Sequence, residues 1–173
     1  MQYPQKGLRQ YLSLVLLFVP ALAFVALFVW YKEAPELAVQ PHFPFAPWQF
    51  WAMGMFGSLA TVGGVLDWRY HRDPLRLQLA AKERDAEALA LGTGGAPMFV
   101  LMWLAMMSAR PAVYLLPIVV VLIYTVTLIC YDEFVFHRNR CGPRETLYHR
   151  LLVFGNGLAW LAWFHFVFVA KQG

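Results

Sequence analysis

Charge is the scarcest commodity in this chain, and its absence is concentrated in stretches. No charged side chain occurs from Tyr11 to Tyr31, from Trp48 to Val65, from Ala88 to Ala109, from Ala112 to Tyr131 or from Leu151 to Ala170. Charged residues are 14% of the 173 positions, against roughly 25% in soluble domains. Runs of this length exclude a water-solvated surface on every side. Cysteine is nearly missing as well: Cys130 and Cys141 are the two present, too few for a disulfide scaffold. No segment alternates polar and apolar residues with period two, so a transmembrane β-barrel is excluded. There is no Gly-Lys-Ser/Thr phosphate loop, no Ser-His-Asp order and no His-Glu-x-x-His signature, and the Gly92-Thr93-Gly94-Gly95 stretch reads as a close helix contact or a hinge.

What is present is hydrophobicity, 60% of residues. A bilayer-spanning helix needs about 20 mostly apolar residues, because the hydrocarbon layer is about 30 Å thick and the backbone must pair internally. The five uncharged runs therefore predict an all-α, polytopic membrane protein of about five transmembrane helices forming one integral domain, 1–173. The third run is interrupted by the glycines and Pro97, and Pro20 and Pro117 fall inside spans as tolerated kinks. The first run is longer than a signal-peptide core and reads as an anchor.

Lys and Arg collect on the cytoplasmic side of membrane proteins. With the N-terminus inside, eleven of the 14 fall on inner segments (Lys6, Arg9, Arg69, Arg72, Arg76, Lys82, Arg84, Arg138, Arg140, Arg144, Arg150), leaving Lys32, Arg110 and Lys171 outside. This predicts a bacterial-type inner-membrane protein, N-terminus in and C-terminus out, with the loops 68–87 and 132–150 cytoplasmic. The net charge of +4 is topological and implies no nucleic acid. Reducing conditions on that side argue against a Cys130–Cys141 disulfide.

The second half of the chain echoes the first. Asp67 and His71-Arg72 close one span, Glu133 and His137-Arg138 another, both reading acid-x-x-x-His-Arg. Glu83 and Glu87 then lead into span three as Glu145 and His149 lead into span five. Eight residues further on, Gly95 matches Gly157. This pattern predicts two helical hairpins, 48–109 and 112–170, after an N-terminal span and outer loop, 1–47.

Residues four apart lie on one helical face. Four helix tips can therefore present Asp67, His71, Glu83, Glu87, Glu133, His137, Glu145 and His149 to a shared centre, five carboxylates and three imidazoles in all. The competing reading is that these are ordinary interfacial acids and histidines among arginines. Four pairs at one spacing on one side favour metal, and so does the repulsion among clustered carboxylates. Such a donor set suits a pair of metal ions, iron first, with manganese or zinc as alternatives. Cys141 is a weak further donor. His42 reads as solvated in the outer loop. His165, about 24 Å from His149 at 1.5 Å per residue, is left to pair with another buried polar group or to contact haem.

The plan of transmembrane helices carrying ligands at their cytoplasmic ends resembles membrane di-metal oxidoreductases of the fatty acid hydroxylase and desaturase type, over about 67–149. That group has adjacent His-His boxes, which this chain does not. Its carboxylate-rich set is instead similar to ferritin-like di-iron proteins, which favour Glu-x-x-His over the four-residue step here. The resemblance implies an oxygen-activating oxidoreductase acting on a lipophilic substrate, lipid or quinone-like, with a redox partner or larger membrane complex. A non-catalytic membrane subunit or assembly factor, and a metal-dependent lipid hydrolase, are the two other readings of the same residues.

Overall fold

The computed structural model describes residues 9–33, 47–70, 89–132, 134 and 142–170. Every regular element among them is helical, and no strand occurs. Helix α1 spans Arg9–Glu33 and carries Pro20 within it. Helix α2 is Trp48–Tyr70. Helix α3, Ala96–Met107, follows a π-helical turn at Ala90–Gly95, and Pro97 lies in its first turn, where the missing N–H has no intrahelical acceptor anyway. A 3₁₀ turn, Pro111–Tyr114, opens α4, Leu115–Asp132. Helix α5 runs Pro143–His165 and continues as a π-helical turn, Phe166–Ala170.

Two segments, Pro111–Tyr131 and Pro143–Ala170, are long and apolar enough to cross a membrane, while Leu17–Trp30 and Gly92–Met107 are shorter apolar helices. Helix α2 reaches 23 residues, but its apolar character is diluted by Gly54, Gly57, Gly63, Gly64, Ser58 and Thr61. That dilution has a packing purpose. The most extensive helix contact in the molecule is α2 against α5. A Cβ added at Gly63 would lie 2.7 Å from the Leu152 nitrogen and 2.8 Å from the Tyr148 oxygen. One added at Gly155 would lie 2.8 Å from the Ala60 nitrogen and the Phe56 oxygen. Backbone meets backbone there, as small residues allow in helix pairs that lack a hydrophobic driving force.

The facing residues also fix direction: as numbers rise from Phe56 and Ala60 to Gly63 on α2, they fall from Gly155 to Leu152 on α5. The two helices are antiparallel. A second close pair joins α3 to α4, where Gly94 sits against Thr125 and the Thr93 and Tyr124 hydroxyls are 3.0 Å apart. Each half of the chain thus packs mainly on the other, α2 with α5 and α3 with α4. Gly95 and Gly157, the glycines matched in the sequence repeat, have open space where a Cβ would point. Helix α1 leans on α2 through Phe24 and Phe28, whose rings lie 6.4 and 6.2 Å from that of Phe50. Trp30 stacks on Trp103 of α3 at 6.4 Å. The buried core gathers Leu27, Phe50, Met53, Met98, Ala105, Met106, Ile118, Trp163, Phe166 and Val167, mostly toward the end of the bundle where α2 begins and α5 closes.

Candidate functional site

The antiparallel register of α2 and α5 decides which predicted ligands share an end. Asp67 lies one turn beyond Gly63 and half-buried, and Tyr70 one turn beyond that. The Tyr70 ring meets that of Tyr148 edge-on at 6.2 Å. On α5, Glu145, Tyr148, His149 and Leu152 fall on one stripe, since steps of three and four keep to one face. Glu145 stands in the first turn of α5, where a carboxylate is favoured by the exposed N–H groups and the helix dipole. It is nonetheless only 5% exposed, and a carboxylate this enclosed requires compensation. His149 is half-buried one turn further on. Asp67, Glu145 and His149 each take part in interactions within the fold.

Three of the eight predicted ligands therefore occupy the same end of the α2–α5 pair, on the faces the two helices turn to each other. The other five, His71, Glu83, Glu87, Glu133 and His137, lie outside the described residues, as do Cys141 and His42. Among the described residues no three His, Cys, Asp or Glu side chains are grouped so as to hold a metal ion. Asp67, Glu145 and His149 share this end of the helix pair without converging into such a group. A cavity of about 450 Å³, lined by Tyr70, Gly142, Pro143 and Arg144, opens at this same end. Cys130 is exposed with a free thiol near the end of α4.

Sequence reasoning missed the partner of His165. Gln49, in the first turn of α2 and 3% exposed, donates from Nε2 to His165 Nδ1 at 3.0 Å. The two residues are 116 positions apart, and the one signal that could have joined them was the antiparallel register itself, which sets the start of α2 beside the end of α5. Trp48 completes the group, its ring 5.2 Å from the imidazole. No family model, curated protein or solved structure matches the chain.

Proposed function

We propose that this chain is a five-span inner-membrane protein, N-terminus inside, whose cytoplasmic rim holds a two-metal centre, preferentially of iron, that oxidises a lipophilic substrate. Asp67, Glu145 and His149 form the part of that centre nearest the bilayer, and His71, Glu83, Glu87, Glu133 and His137 supply the remaining donors. The observation that carries this reading is the common location of Asp67, Glu145 and His149 on facing sides of one helix pair.

The membrane part rests on solvation. Along α4, Ile118 is the one buried side chain among those described, while Leu116, Val120 and Ile123 are 73%, 57% and 62% exposed. A core helix of a water-soluble protein buries its apolar side; α4 packs only a stripe through Ile118, Val121, Leu122 and Thr125 and leaves the rest of its apolar surface open, as lipid solvation allows. The hydroxyls tell the same story. Ser58, Thr61, Thr125 and Thr127 each donate to the carbonyl oxygen four residues earlier on their own helix, which satisfies them without water.

Bound iron supplies redox chemistry toward oxygen at such a site. The chain's own residues hold the charge balance: the carboxylates of Asp67 and Glu145 offset the cations, and the His149 imidazole is a neutral donor. The test is elemental analysis with absorption spectroscopy on detergent-purified protein, wild type beside His137→Ala. Iron, manganese or zinc near two per chain, lowered in the variant, is the expected result. Metal at background in the wild type ends the proposal. The bare apolar surface of α4 favours a second reading, a non-catalytic subunit docked in a larger membrane complex; a stoichiometric partner that co-purifies, with function intact in Glu145→Ala, would establish it.

A further inference from the structure

The end of the bundle opposite the proposed metal centre carries a polar group that none of the metal chemistry uses. Gln49 is 3% exposed, and its Oε1 is buried with no hydrogen-bond partner among the described residues. Leaving an amide oxygen unpaired in such a place is costly. What its Nε2 does in return is fix His165: a ring that accepts a hydrogen bond on Nδ1 carries its proton on Nε2 when neutral. That Nε2 makes no hydrogen bond among the described residues, and the ring is half-buried. A donor of fixed tautomer is thus held at the level where α2 begins and α5 passes into its π-helical turn, a feature common at functional positions.

Two neighbours define what can meet it. Trp48, 60% exposed, flanks the imidazole at 5.2 Å and offers an indole face. One turn further along α2, Trp51, Gly54, Met55 and Ser58 join Phe24 and Phe28 of α1 around an open apolar cavity of about 540 Å³. One imidazole and one amide do not make a metal site, and among the described residues no charged side chain belongs to this group. We infer that the Gln49–His165 pair with Trp48 is a binding site, in the outer leaflet, for a neutral amphiphile whose carbonyl oxygen accepts from His165 Nε2 and whose tail lies in the cavity between α1 and α2. The inference rests on the membrane reading above and is independent of the metal centre. The carbonyl is that of a quinone ring lying on the exposed face of Trp48, and a phospholipid ester at the same place is an outcome of the test.

The test uses the full chain in maltoside micelles, which contain no ester carbonyl. A decyl-substituted benzoquinone is expected to quench tryptophan emission saturably. Trp48→Phe removes most of the quenching amplitude, and His165→Phe and Gln49→Leu each raise the half-saturating concentration at least tenfold. Identical titration curves for the wild type and His165→Phe overturn the inference. Should the variants fail to fold, the ring ¹⁵N signals of His165 in the wild type decide. A shifted Nε2 resonance on adding the quinone, or on moving from diether to diester phosphatidylcholine vesicles, supports the site; a resonance unmoved by both overturns it. Quinone binding weakened several-fold in diester relative to diether vesicles identifies the phospholipid ester as the resting occupant, and equal binding identifies the quinone alone. Failure of the membrane reading shows separately, as protein that stays soluble when detergent is withdrawn before any titration.

Discussion

Glu145 and Arg144 are neighbours in the first turn of α5 with opposite fates: the carboxylate is 5% exposed and the guanidinium faces outward. Position on the helix alone decides this, because consecutive residues point about 100° apart and only the Glu145 side looks toward α2. The contrast gives a residue-scale prediction. Glu145→Gln keeps the shape and removes the charge, so metal content per chain, read by elemental analysis, falls by at least half, while Arg144→Ala leaves it unchanged. Equal metal in both variants removes Glu145 from the centre. The four-residue step put Glu145 and His149 on one face of α5, while the presence of Asp67 at the same end of the helix pair came from register. The pairing of Gln49 with His165 was not legible in the sequence, because no local pattern links residues 116 apart.

Among the elements, α2 and α5 are held by the absence of side chains. At Gly63 and Gly155 an added Cβ would meet backbone atoms of the other helix at 2.7–2.8 Å, and backbone cannot swing aside as a long side chain does. Gly63→Ala and Gly155→Ala are each expected to destabilise the protein by about 1–3 kcal/mol, as overpacking does, measured as a lowered midpoint in thermal unfolding in detergent. Gly157→Ala, on the same helix with nothing within 4 Å, is expected to be neutral or stabilising by roughly 0.5–1 kcal/mol through the Gly-to-Ala helix preference. If all three behave alike, the close α2–α5 approach is not what holds the pair. The sequence marked glycines in α2 without saying which of them touch. Gly57 is as prominent in the chain as Gly63, yet it faces open space.

For the whole molecule, the arrangement of charge predicts sidedness. Cys130 is exposed near the C-terminal end of α4, the end that the proposed topology puts inside, so with Cys141→Ser as background a membrane-impermeant maleimide should label it in inverted vesicles and not in intact cells. Labelling from the outer face alone would reverse the topology and place the acid and imidazole groups outside. A further expectation concerns lipid contact. Replacing Ile123, 62% exposed on α4, with Lys places a charge against hydrocarbon at a cost of several kcal/mol, and membrane yield should drop sharply. In a subunit that covers this face with a partner helix, the same change would instead disrupt co-purification.

The apolar runs by themselves determined that the described segments are helical and roughly where they lie, because long uncharged runs without period-two alternation pair their backbone within the segment. Which helix packs on which, and therefore that Asp67 faces the stripe of Glu145 and His149 while Gln49 holds His165 at the other end, was decided by the tertiary structure. Those pairings depend on the register of two antiparallel helices, and register is set by which small residues let backbones touch, a property of surfaces brought together and not of either segment alone.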